Sequence, residues 1–244
     1  MTLIDTFEPQ STLTTGSVTL CATDIERSFI TGANRIWALR KTSLTFRAGE
    51  FICVSGPSGS GKSTLISTLG CLEALDAGGL SICENEVTKL SPQELAAVRR
   101  KYIGFIFQDY NLLQRLTLLE NTMLPLLYDG VEKKEATLQA SAVLNKVGLG
   151  DRLEHLPCQL SGGQRQRGAI ARATVTESKI IFADEPTGAL DTSTGDLILE
   201  ILESLAAQGR TIVVVSHNEK IAKFADRCFE MSDGHLKELQ VAAE

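Results

Sequence analysis

The chain has 244 residues, 43% of them hydrophobic and 22% charged, with a formal net charge of −6. That suffices for one large globular domain or two lobes on a shared core, and it excludes global disorder. It also argues against a chain whose main task is neutralising nucleic-acid phosphates, so no nucleic-acid partner is expected. The apolar runs at 51–54, 180–183 and 212–215 are strand-sized, far short of the ~20 residues of a membrane helix. Residues 1–16 are polar and acidic, read as a loose tail without a signal peptide, and place the chain inside the cell. Cys21, Cys53, Cys71, Cys83, Cys158 and Cys228 are scattered without a C-x-x-C pair, and read as structural thiols in a reducing compartment.

From Ser17 the pattern is β-like in short runs, Val18-Thr19-Leu20 and Ser43-Leu44-Thr45-Phe46, separated by a turn-rich stretch at 30–35; this predicts a small antiparallel sheet. The run at 51–54 reads as a buried parallel strand feeding a Gly/Ser-rich loop and a Leu/Ile-rich helix. Ser91-Pro92-Gln93-Glu94 predicts a capped helix start, and a strand over 103–107 ends at Gln108. Residues 111–150 turn mostly helical, with Ala140, Val143, Leu144 and Val147 on one stripe that stops near Gly148. Alternation then resumes, with a helix at 164–174, strand 180–183, helix 196–207, strand 211–215 and a closing strand at 228–231. The fold class is therefore α/β, a mixed sheet flanked by helices, with an antiparallel β subdomain and a helical subdomain at 108–164 between core segments 17–107 and 165–244.

The loop Gly56-Pro57-Ser58-Gly59-Ser60-Gly61-Lys62-Ser63, followed by Thr64, fits G-x-x-x-x-G-K-[ST] between a strand and a helix. Glycines let successive N–H groups wrap phosphate oxygens, and the helix start adds its positive end. Lys62 can reach the β- and γ-phosphates of a nucleotide, and the Ser63 hydroxyl can ligate Mg²⁺. The strand at 180–183 ends in Asp184, a carboxylate suited to the Mg²⁺ shell, and Glu185, a candidate general base. Leu160-Ser161-Gly162-Gly163-Gln164 is a second Gly-rich helix start, read either as an anion site or as an ordinary cap. His217, after the strand at 211–215, reads by itself as a capping or surface residue.

Taken in order, Gly56–Ser63, Gln108, Leu160–Gln164, Asp184-Glu185, Ala189-Leu190-Asp191 and His217 resemble the ATP-binding cassette ATPases, over roughly residues 17–236. Leu69-Gly70-Cys71-Leu72, Asn111-Leu112-Leu113, Glu120-Asn121, 124–128 and 183–191 look like the MacB/LolD export type; the alternative is an FtsE-like non-transport membrane complex that regulates cell-wall enzymes or senses antimicrobial peptides, with a soluble ABC ATPase ranked behind both. The resemblance implies ATP and Mg²⁺ as ligands and a head-to-tail homodimer. It also implies integral membrane permease subunits as partners, on the cytoplasmic face of the inner membrane. It further implies that Ser161, Gly162 and Gly163 meet the γ-phosphate in trans, that Gln164 belongs with them to the nucleotide-binding residues, and that Gln108 senses Mg²⁺ and the attacking water. His217 would orient Glu185, Asp191 would couple the two sites, and an aromatic, here Phe29 with Trp37 behind it, would stack on adenine. Gly168 and the Ser216-His217-Asn218 triplet depart from the common pattern without removing a catalytic group. The apolar cluster of Tyr110, Leu112, Leu113, Leu116, Leu118 and Leu119 is expected to serve partly as helical core and partly as a groove for a permease helix.

Overall fold

The structure, a computed structural model, describes residues 16–32 and 34–239. Side-chain parity decides where its main sheet sits. The three apolar runs become β3 (Phe51–Ser55), β7 (Ile180–Asp184) and β8 (Thr211–Val215). Ile52, Val54, Ile180, Phe182, Val213 and Val215 enter one core with Leu20, Phe46 and Leu65. Their alternates Phe51, Cys53, Ile181, Ala183, Ile212 and Val214 enter a second core with Ile170, Ile198 and Leu202. A sheet covered on both faces requires such continuous apolar strands. With β6 (Ile103–Ile106), β9 (Arg227–Ser232) and β10 (His235–Leu239) the order is β10-β9-β3-β8-β7-β6, parallel except for β10. The expected closing strand is thus followed by one more, paired antiparallel at the sheet edge.

The antiparallel sheet is present, larger than the local pattern predicts. β1 (Val18–Thr31) and β2 (Asn34–Arg47) form one long hairpin, and most of the turn-rich stretch pairs as strand, Ile30 with Arg35 and Thr31 with Asn34. β4 (Ala77–Ile82) and β5 (Asn85–Glu86), which carry no legible period, extend it in the order β2-β1-β4-β5. The two sheets share the first core and meet at a hydroxyl pair, Thr19 Oγ1 to Thr211 Oγ1 at 2.7 Å. Residues 1–15 of the expected tail lie outside the described residues, but Gly16 is tied to the fold, its N–H donating to Ala48 O and its carbonyl accepting from Arg47. Burial raises the Cys53 thiol to about 12, in keeping with a structural role.

Among the helices, α1 (Lys62–Leu69) follows the Gly-rich loop, and α2 (Pro92–Tyr102) begins on the expected capping box of Ser91 and Glu94. α3 (Leu118–Tyr128) and α4 (Lys133–Lys146) pack on each other and on α5 (Gly162–Thr174). The predicted stripe is real: Ala140, Leu144 and Val147 are buried, and Val143 packs against both helical clusters. α6 (Thr192–Ala207) starts four residues before its predicted beginning at 196, because the Asp191 carboxylate caps it by accepting from Thr194 N at 3.0 Å. The apolar cluster after Gln108 divides: Leu112 and Leu118 are buried, Leu119 packs against both helical cores, and Leu113 is exposed.

α5 approaches its neighbours at two glycines. At Gly168 a side-chain carbon would collide with Leu118 Cδ1, so this glycine admits α3 against α5; that is a packing reason for a residue which costs a helix ~1 kcal/mol. At Gly104 in β6 a side-chain carbon would drive into the carbonyl oxygen of Ala173, whose backbone cannot swing aside as a side-chain tip can. Gly104→Ala is expected to destabilise the protein by about 2 kcal/mol through overpacking, read as a lower denaturant midpoint at unchanged m-value.

Candidate functional site

The carboxyl ends of four adjacent parallel strands bring the sequence-predicted residues together. β3, β8, β7 and β6 lie side by side, with Val54 in register with Val215, Asp184 with Val215, and Ile106 with Ala183. The Gly-rich loop leaves β3, His217 follows β8, Asp184-Glu185 ends β7, and Gln108 lies just beyond β6. Crevices at such strand ends are where open α/β sheets bind ligands.

The loop is shaped by backbone contacts that only glycine permits. A side-chain carbon at Gly56 would strike the Met231 carbonyl, and one at Gly61 would strike the Ala38 carbonyl. Gly56 and Gly61 also have φ values of 145° and 108°. Lys62 Nζ folds back to donate to the carbonyls of Gly56 and Pro57, each at 2.8 Å. Ser60 Oγ is buried without a hydrogen-bond partner, a polar atom the loop leaves unsatisfied.

Behind the loop, burial holds the Asp184 carboxyl above its ordinary range, and the nearby Glu185 adds to this; a hydrogen bond from Ser63 and the charge of Lys62 oppose it. Ser63 and Asp184 are hard oxygen donors in contact with each other, which suits Mg²⁺. No group of three or more His, Cys, Asp or Glu occurs among the described residues to form an all-protein cage. A Mg²⁺ ion, which characteristically keeps waters and takes phosphate oxygens, fits such a sparse set.

Glu185 is held by contacts on both sides of its carboxylate. Its backbone is left-handed at φ 45°, a conformation that costs a non-glycine residue on the order of 1 kcal/mol. Ser216 Oγ donates to Oε2 at 2.7 Å, and Oε1 takes the His217 backbone N–H at 3.1 Å and pairs with Nδ1 at 2.8 Å. The carboxylate is mostly buried and the imidazole 74% exposed, so His217 covers Glu185 from the solvent side. Ser216, which the sequence pattern did not single out for a role, is the residue that joins His217 on Glu185. Its only signal was a hydroxyl adjoining the histidine at a strand end.

The second Gly-rich start lies elsewhere. Ser161 Oγ and the Gln164 side-chain carbonyl close a capping box on α5, so within one chain this segment serves as a helix cap. Gly162 lies against Tyr110 and Leu190, and Gly163 against Thr194. The neighbours of the first loop, Ala38 and Met231, are a different set. Asp191 spends both oxygens on Ser193 and Thr194, and the Ser193 hydroxyl above all holds it well below the usual carboxylate range. Phe29 is 38% exposed on β1, paired with Ile36, while the neighbouring Trp37 adjoins Ala38, the residue against Gly61.

A family model described as ABC transporter matches residues 39–188. The chain belongs to the ABC transporter family. As one of its ATPase cassettes it is 46% identical over 213 residues to the macrolide export ATP-binding/permease protein MacB of Hyphomonas neptunium, covering 87% of this chain and 33% of MacB. It therefore spans about a third of the length of the MacB relatives it matches. YvrO of Bacillus subtilis, an uncharacterized ABC transporter ATP-binding protein, is 44% identical over 217 residues, 89% of this chain and 95% of YvrO. The solved dimer of MJ0796, a bacterial ABC transporter cassette, superposes with a TM-score of 0.84 at 38% identity, covering 91% of this chain and 99% of MJ0796. The same cassette is also known in a post-hydrolysis state with ADP and Pi. The mixed α/β cassette fold read from the sequence and its ATP-binding, ATP-hydrolysing class are thus established. No helix among the described residues is long and apolar enough to cross a membrane.

The Ser216 hydroxyl holds one oxygen of the Glu185 carboxylate, and hydrogen bonds to charged groups contribute ~1.5–3 kcal/mol. Ser216→Ala is expected to lower the ATP turnover number about tenfold, with Ser216→Thr restoring most of it, as measured by phosphate release at saturating ATP.

Proposed function

We propose that this chain is the ATP-hydrolysing, nucleotide-binding part of a MacB/LolD-type membrane transporter that drives a permease exporting or extracting a lipoprotein, peptide or drug. The observation that carries the reading is the clamp of Ser216 and His217 on Glu185, at the end of the sheet that also carries the phosphate loop. The loop's N–H groups bind the phosphates, and Lys62 exchanges two neutral carbonyls for phosphate oxygens, a stronger charge-assisted contact. Ser63 and Asp184 would hold Mg²⁺, which would supply charge neutralisation for the transferred phosphoryl group. Glu185 takes the proton of the attacking water, His217 keeps its carboxylate aimed, and Gln108, just beyond β6, senses that water.

The two Gly-rich helix starts have separate neighbours within one chain, which supports a shared site across a dimer. In it, Ser161, Gly162, Gly163 and Gln164 of one copy meet the phosphates bound by the other, and Asp191 lies near the seam. MJ0796 was solved as a dimer, which agrees with this arrangement. Residues 108–164 form the helical subdomain, and exposed Leu113 is part of the surface offered to a permease helix at the cytoplasmic membrane face. Phe29 stacks on the adenine.

Glu185→Gln is expected to bind ATP, lose at least about 100-fold in turnover and accumulate as a dimer by light scattering. Hydrolysis at the wild-type rate would remove Glu185 from the mechanism. The same variant, loaded with ATP and Mg²⁺, should retain a permease from detergent-solubilised membranes of the source cell. Recovery of soluble proteins alone would overturn the transporter assignment and leave the ATPase standing.

A further inference from the structure

Phe29 carries a cation on one face of its ring: the Arg27 guanidinium lies over it, with Cζ 4.8 Å from the ring centroid. The guanidinium is itself fixed from behind. Nη2 donates to Glu73 at 2.7 Å and Nη1 to Asp76 at 3.2 Å, while Nε is buried without a partner. Asp76 is anchored in turn, its other oxygen accepting from the backbone N–H of Ser28 at 2.9 Å and from the Ser28 hydroxyl at 2.5 Å. Arg27 and Phe29 are two residues apart on β1 and share one side of the strand. Phe29 pairs with Ile36 on β2, two residues from Ala38, whose carbonyl rests against Gly61. The ring therefore stands one strand away from the phosphate loop, with one face covered and the residue 38% exposed.

We propose that Arg27, held by Glu73 and Asp76, is the positioning residue of the nucleotide's base platform: it backs one face of Phe29 and leaves the other for the purine. The proposal rests on the reading of Phe29 as the stacking ring. A lone exposed phenylalanine on a hairpin samples several rotamers, and each must be restricted when a base stacks on it. A guanidinium pinned over one face restricts the ring beforehand and draws electron density from it, which favours stacking on an electron-rich purine. Two carboxylates are needed because one alone lets the guanidinium pivot off the ring. Lysine in this place keeps the charge but loses the fork that engages both.

The test measures dissociation constants of MgATP and of inorganic triphosphate, which has no base, for wild type, Arg27→Ala, Arg27→Lys, Phe29→Ala and the Arg27→Ala/Phe29→Ala double variant. Glu73→Gln serves if Arg27→Ala fails to fold. Phe29→Ala is expected to weaken ATP binding at least about fivefold, the scale of base–aromatic stacking. Arg27→Ala is expected to weaken it about three- to fivefold, the scale of an exposed cation–π contact, and Arg27→Lys nearly as much. Triphosphate binding should move less than about 1.5-fold in each variant, and Arg27→Ala should have no further effect once Phe29 is gone. If Phe29→Ala leaves ATP affinity unchanged, the stacking reading falls and takes the proposal with it. If Phe29→Ala weakens ATP but Arg27→Ala does not, the platform stands and the proposal is overturned. It is overturned as well if Arg27→Ala weakens ATP and triphosphate equally, or if its effect persists in the absence of the ring.

Discussion

The parallel hydrogen-bond ladder joining β3, β8, β7 and β6 is the constraint on which the site depends. In a parallel ladder every strand points the same way, so all four chains emerge at one edge and hand their next residues to one crevice. Lys62, His217, Asp184, Glu185 and Gln108 come from four distant parts of the chain, and this register brings them together. The apolar parity of the strands in turn fixes the register, because a one-residue slip would turn Phe182 and Val213 away from the first core and Ile181 and Ile212 away from the second.

Around that ladder, close backbone approach replaces side-chain packing wherever function needs it. Gly56 and Gly61 let the phosphate loop lie against Met231 and Ala38, residues of β9 and β2. Gly104 and Gly168 bring α5 down on β6 and α3, which places the second Gly-rich start at a defined height above the sheet. At the carboxylate end of β7, the left-handed backbone of Glu185 is held in place by three hydrogen bonds to its side chain and by its own N–H to Val215 O.

Much of this was legible in the sequence, because buried parallel strands, a phosphate loop and a Ser-x-x-Glu cap each have a local pattern with a local cause. Most strands of the main sheet, the α4 stripe and the residues at the strand ends follow from such patterns. The length of the β1–β2 hairpin did not, since Ile30-Thr31 and Asn34-Arg35 are paired by their strand partners and not by their own composition. β4 and β5 escaped because Gly78 and Gly79 erase the alternation where the strand begins. Gly168 looked like a helix defect until Leu118 was seen against it. The Ser216 hydroxyl and the Arg27–Glu73–Asp76 set are tertiary arrangements with no spacing that announces them.

α5 sends Ile170 and Ala173 into the second sheet core and Ala171 into one helical core, and Val175 just after it enters the other. A helix rooted in two cores, with the residue after it in a third, cannot shift without disturbing all of them, which ties the stability of the helical segment to that of the sheet. Amide protons in the middle of α5 are then expected among the well-protected ones of the molecule. The consequence reaches beyond stability: a displacement of α3 or α4 is carried through α5 into the second sheet core, and the give between the two parts falls to the loops that flank α5.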